Sequence, residues 1–125
     1  MMARRMDMPD EQILKFFFEC LNHRDLEQME ELLLEDACLY FPKTEPLSGK
    51  NRILRFMGIL FRHYPELIFD VQQTIIQGSK AAIHWTNKGT SRKNKPYKNE
   101  GVTLIEFRAN KISFISDFFK NTDIF

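Results

Sequence analysis

The chain has 125 residues, 43% of them hydrophobic and 28% charged, with 18 basic against 17 acidic side chains and 12 phenylalanines. A chain of this length buries roughly two thirds of its unfolded surface, so one domain folds without disulfides or metal and a second does not fit. The net charge of +1 does not supply the strong basic field of a dedicated nucleic-acid binder.

A polar arm over residues 1–9 precedes a single domain over residues 10–125. Arg4 and Arg5 supply the charge of a secretory signal, but the apolar segment that must follow is missing, so the expected compartment is the cytoplasm. Asp7-Met8-Pro9-Asp10-Glu11 suits a helix start, and Ile13, Leu14, Phe17, Phe18 and Leu21 then recur at helical spacing. Asn22-His23-Arg24 interrupts this helix. Asp25, with Gln28 three residues on, has the spacing of a capping box and opens a second helix whose buried stripe is Leu26, Met29, Leu32 and Leu33. Ala37 to Phe41 reads as a short strand ended by Pro42, and Lys43 to Gly49 as a loop. A third helix runs from about Lys50 to His63, with Ile53, Leu54, Met57, Leu60 and Phe61 inward and Pro65 closing it.

From Leu67 the period changes from 3.6 to 2. Phe69, Val71 and Ile75 alternate with Asp70, Gln72 and Thr74, Gly78-Ser79 makes a turn, and Ala81 to Asn87 returns as a strand. Lys88 to Lys98 is a polar, cationic connection that reads as a solvated hairpin. Gly101 to Phe107 and Lys111 to Phe119 are two further strands joined at Ala109-Asn110, where Asn adopts the left-handed turn conformation readily. Helices segregated from a mostly antiparallel sheet make an α+β fold, and a curved sheet with helices over one face forms a cone lined by inward side chains. Small-molecule sites usually take that form, apolar with a few placed polar groups. No run reaches the roughly 18 apolar residues of a membrane span. Cys20 and Cys38, expected as reduced core residues, and His23, His63 and His84 lack metal-ligand spacing, and there is no glycine-rich phosphate loop. Accordingly no membrane, nucleic acid, metal or cofactor is expected.

Four segments in this order carry a family likeness: Leu21-Asn22-His23-Arg24-Asp25-Leu26 between the first two helices, Glu35-Asp36-Ala37 before the first strand, Pro46-Leu47-Ser48-Gly49-Lys50 before the third helix, and Ile115-Ser116-Asp117-Phe118-Phe119 on the last strand. With the element order they resemble the SnoaL-like branch of the nuclear transport factor 2-like superfamily over nearly the whole chain. The resemblance implies three N-terminal helices packed on a curved, mostly antiparallel sheet enclosing a pocket. It also implies a common homodimer, in a family of isomerases, cyclases, dehydratases, hydrolases and silent binders. The similar ketosteroid isomerases place a carboxylate base before the proline that ends the first strand, and hold the oxyanion with a tyrosine of the first helix and a protonated aspartate on the penultimate strand. The matching positions here are Phe41, Phe16 and Ile105. Limonene-epoxide hydrolases use an Arg-x-Asp pair on a middle strand, where this chain has Trp85-Thr86-Asn87. Neither constellation is present, and the polar group left in register is Asp117, which matches the acid/base aspartate of SnoaL-type polyketide cyclases.

Strand parity places Asp117 on the face of Ile115, with Thr103 and Ile105, and Trp85 and Asn87, on the same face of neighbouring strands. A carboxylate among apolar neighbours is desolvated, which raises its pKa toward the range useful for general acid/base work. The expected site is therefore Asp117 as acid/base, with Phe16, Phe41, Met57, Trp85, Asn87, Thr103, Ile105 and Ile115 against the ligand. The alternatives are a structural carboxylate at Asp117, a core tryptophan at Trp85 and a loop-capping amide at Asn87. His84 has the opposite parity and faces the helices or a dimer interface, while His63 and Tyr64 pack at the rim. The expected activity is binding of a small, largely apolar, polycyclic or carbonyl-bearing molecule and its rearrangement by proton transfer, without a cofactor. The alternative is a non-catalytic ligand-binding or dimerising domain.

Overall fold

In the computed structural model, which describes residues 10–123, helix α1 spans Asp10–His23. The polar arm expected over residues 1–9 lies outside the described residues. Asp10 and Glu11 sit in the first turn of α1, where the helix dipole favours acids, and Ile13, Leu14, Phe17, Phe18, Cys20 and Leu21 form its buried stripe. Arg24, at φ 57°, takes the left-handed turn that ends the helix, and the Asp25 N–H closes onto the Cys20 carbonyl at 2.9 Å. Asp25 then caps α2 (Leu26–Leu32), its carboxylate accepting from the Gln28 N–H at 3.0 Å.

Strand β1 (Leu33–Tyr40) follows α2 directly and starts four residues before the expected Ala37. Leu33, expected on the helical stripe, pairs with Ile112 and is 1% exposed. In so short a helix, apolar spacing does not separate the last helical turn from the first strand residue. Ser48 and Leu47, expected in a loop, form β2 (Leu47–Ser48) against Cys38 and Leu39, and two residues carry no alternation to read. Gly49, at φ 102°, turns the chain into α3 (Lys50–His63), as expected. Ile53 and Met57 are its buried residues; Leu54, Leu60 and Phe61 pack partly exposed against the same core.

Strands β3 (Ile68–Gln77), β4 (Lys80–Thr90), β5 (Pro96–Arg108) and β6 (Lys111–Phe119) form an antiparallel meander. β1 joins parallel to β6, giving the order β2-β1-β6-β5-β4-β3. The cationic connection is shorter than expected, because β4 continues to Thr90 and β5 resumes at Pro96. At the β5–β6 turn both Ala109 and Asn110 have positive φ, 53° and 62°, the pattern of a type I′ hairpin. A bulge between Val71 and Gln73 reverses the parity of β3. Ile75, expected on the face of Phe69 and Val71, consequently pairs with Ala82 on the outer face and is 57% exposed.

The three helices pack on one face of this curved, mostly antiparallel sheet, the α+β architecture expected. The opposite face carries Tyr40, Ile75, Leu104 and Phe118, all exposed. Among the described residues no helix is long and apolar enough to cross a membrane.

Candidate functional site

Inward-facing rows cross the meander in register: Asn87 opposite Asn99, Trp85 opposite Gly101 and Phe119, Ile83 opposite Thr103 and Asp117, and Ala81 opposite Ile105 and Ile115. The first three rows meet a cavity of about 50 Å³ between the sheet, α1 and α3, well above the minimum for one water. Phe17, Phe18 and Leu21 of α1 and Met57, Phe61 and Tyr64 of the α3 segment form its helical wall. Tyr64 and Tyr97, both partly exposed, pack at a tilt with centroids 4.8 Å apart and mark the end that reaches the surface. The aromatic wall is continuous: Trp85 meets Phe69 at 5.0 Å and Phe119 at 4.9 Å, and Phe119 meets Phe41 at 5.2 Å.

The Asn22-His23-Arg24-Asp25 segment holds this wall in place. The Asn22 side chain bonds both backbone groups of Phe69, donating to its carbonyl at 3.0 Å and accepting from its N–H at 2.7 Å, which ties α1 to the edge strand. Arg24 donates to the Tyr64 carbonyl at 2.7 Å and lies over the Phe61 ring, so the end of α3 is fixed as well. Burial lowers the Arg24 pKa, with Glu66 opposing.

Asp117 is partly exposed, and the space it meets is the cavity. Its Oδ1 accepts from the Thr103 hydroxyl at 2.6 Å, and Thr103 Oγ1 accepts from the Trp85 indole at 2.8 Å. Gly101 makes this possible, since a Cβ there would come within 2.7 Å of the indole ring and 2.3 Å of the Phe118 carbonyl. Burial pushes the Asp117 carboxyl from 3.8 up to about 6, and the Thr103 hydrogen bond draws it part of the way back. Asn87 is 4% exposed, and neither its amide nitrogen nor its oxygen has a protein hydrogen-bond partner. It lies close enough to Tyr97 to moderate that phenol, whose pKa burial raises, yet without hydrogen-bonding geometry. Such an arrangement pairs an acid/base group that changes charge near neutrality with an amide able both to donate and to accept. Among the described residues no three His, Cys, Asp or Glu side chains gather to hold a metal ion.

Six of the nine expected residues line the cavity: Phe41, Met57, Trp85, Asn87, Thr103 and Asp117. Three do not. Phe16 is 37% exposed beside Glu19 and Gln28, because the helical stripe of α1 turns Phe17 and Phe18 inward and Phe16 away. Ile105 and Ile115 share the face of Asp117 but stand one row further from the cavity, fully buried in the core. His84 faces the outer surface and bonds Glu100 at 2.7 Å, and His63 is exposed. Tyr97, Phe69 and Phe119 were not among the expected ligand contacts; the parity of Asp117 carries Phe119 with it, whereas Tyr97 sat inside what read as a loop.

A SnoaL-like domain model matches residues 14–115. No curated protein matches significantly. Among solved structures, a nuclear transport factor 2-like protein of unknown function from Burkholderia pseudomallei superposes with a TM-score of 0.85 at 17% identity, covering 94% of this chain and 95% of that one. A protein from Jannaschia sp. CCS1 assigned to the SnoaL-like polyketide cyclases gives 0.80 at 14% identity, over 87% and 83%. TerC, co-crystallised with polyporic acid, gives 0.82 at 17% identity, over 90% and 92%. At these identities the structures share the fold, and the match over residues 14–115 places the chain in the SnoaL-like domain family.

Proposed function

We propose that the protein binds a small, largely apolar, carbonyl-bearing molecule in the cavity and rearranges it by proton transfer through Asp117, as an isomerase or cyclase does. The observation that carries this reading is the polar equipment of an otherwise aromatic cavity: a carboxyl at about 6 together with a buried Asn87 amide whose two polar atoms the protein leaves unpaired. Unpaired buried polar atoms are costly, and a ligand carbonyl or hydroxyl satisfies them. The fold relatives assigned to polyketide cyclases or crystallised with polyporic acid agree with this choice of ligand class.

Trp85 is the one tryptophan of the chain and lines the cavity, so its fluorescence reports occupancy. Polyporic acid serves as the binding probe, and solvent-deuterium incorporation into an enolisable aryl ketone reads proton transfer. Asp117→Asn is expected to keep probe quenching and to lose about 10²- to 10⁴-fold in exchange rate. Equal exchange by wild type and variant removes the enzymatic reading. The rival is a non-catalytic binder, and under either reading the narrow cavity admits a polycyclic ligand such as the probe only if its aromatic walls move.

The outer face of the sheet, with Tyr40, Phe118, Leu104 and Ile75 exposed on β1, β6, β5 and β3, is read as the contact with a second copy of this chain. Cys20 and Cys38 are both free thiols, in keeping with the reducing cytoplasm.

A further inference from the structure

The hydrogen-bond chain that ends at Asp117 has a direction imposed by chemistry. An indole nitrogen donates and never accepts, so the 2.8 Å contact between Trp85 and Thr103 must run from Trp85 Nε1–H to Thr103 Oγ1. That donor occupies one acceptor position of the hydroxyl, and the single hydroxyl proton is directed to the atom 2.6 Å away, Asp117 Oδ1. Each bond polarises the next in a low-dielectric interior. Two features show that the chain is built into the fold. Thr103 and Asp117 are register partners on β5 and β6, and Trp85 crosses β5 at Gly101, where any Cβ would collide with its ring.

We propose that Trp85 is a positioning residue that acts on Asp117 through Thr103, committing the threonine proton to Oδ1 and leaving Oδ2 as the oxygen at which a proton is exchanged with a ligand. This deepens the reading of Asp117 as the acid/base. The indole, remote from the proton in flight, sets which oxygen carries it. A general acid with one defined protonation site presents its proton in one direction, which is what transfer to a bound carbonyl requires. The other titratable groups lining the cavity are the Tyr64 and Tyr97 phenols, and burial raises the pKa of Tyr97, away from the range in which Asp117 titrates.

The test uses nuclear magnetic resonance on the intact protein without substrate, following the Asp117 carboxyl carbon and the Trp85 indole N–H against pH. In wild type the indole resonance is expected to move with the same midpoint as the carboxyl. Thr103→Val is expected to raise the carboxyl midpoint by about one unit or more, the effect of removing one hydrogen bond to a charged group, and to flatten the indole profile. Thr103→Ser is expected to restore both. Trp85→Phe is expected to raise the carboxyl midpoint, because the freed hydroxyl then accepts from the protonated carboxyl as readily as it donates to the ionised one. An indole resonance indifferent to the Asp117 titration overturns the proposal even if every variant fails to fold. So does an unmoved carboxyl midpoint in a folded Trp85→Phe. Because these readouts need no turnover, they separate from the functional reading: coupled titrations with unchanged exchange in Asp117→Asn would leave the relay standing and remove the enzyme.

Discussion

Replacing Asp117 by asparagine should stabilise the protein above neutrality, and the size of the effect follows from its surroundings. The folded protein holds this carboxyl at about 6, against 3.8 for the free side chain. The difference of about two units corresponds to about 3 kcal/mol. A folded-state pKa above the unfolded one means that the folded state binds the proton more tightly. The associated stability is therefore present below pH 3.8, declines as pH rises, and is lost above about 6, where the cavity holds a desolvated charge. An asparagine keeps an oxygen to accept from Thr103 and removes the charge. Urea denaturation of wild type and variant at pH 4 and pH 8 should show near-equal stability at the lower pH and an advantage to Asp117→Asn of up to about 3 kcal/mol at the higher one. A difference that does not change with pH, or a variant weaker at pH 8, would refute the claim that desolvation governs this carboxyl. The combination of gained stability with lost proton transfer is the trade expected where a site keeps a charge in an unfavourable place.

Other substitutions probe the parts that hold the site together. Gly101→Ala should destabilise by on the order of 3 kcal/mol, since its Cβ would lie 2.3 Å from the Phe118 carbonyl; chemical denaturation measures it, and near-ultraviolet dichroism should show the displaced Trp85. Asn22→Ala removes both side-chain bonds to the Phe69 backbone and should cost about 2 kcal/mol, with β3 amides near Phe69 exchanging faster with solvent. Leu104→Glu places a charge in the middle of the exposed outer face; light scattering should report a dimer for wild type and a monomer for the variant, with the melting transition of the core retained, and a wild-type monomer at micromolar concentration removes the dimer reading.

The sheet rows that build the site were legible because β4, β5 and β6 pair without a shift from Gly101 to Glu106 and from Lys80 to Thr90, so counting by two carries Trp85, Asn87, Thr103 and Asp117 to one face. Depth along a strand is a different matter. Ile105 obeys the same count as Thr103, and only the placement of α1 and α3 decides that one row meets the cavity and the next is sealed. The bulge after Val71 is an inserted residue with no compositional mark, so Ile75 was assigned the wrong face. Among the three consecutive phenylalanines of α1, helical periodicity selects Phe17 and Phe18, whereas the family resemblance pointed to Phe16; the local pattern was the better guide. The Asn22-His23-Arg24-Asp25 segment was recognisable before its purpose was. Its tethers reach Phe69 and Tyr64, 47 and 40 residues away in the chain, distances over which no local rule operates.

Asp117 stands in this cavity as a desolvated acid. Titration of its carboxyl carbon in the wild-type protein tests this directly. A midpoint of about 6 is predicted, and a midpoint near 3.8 would contradict it.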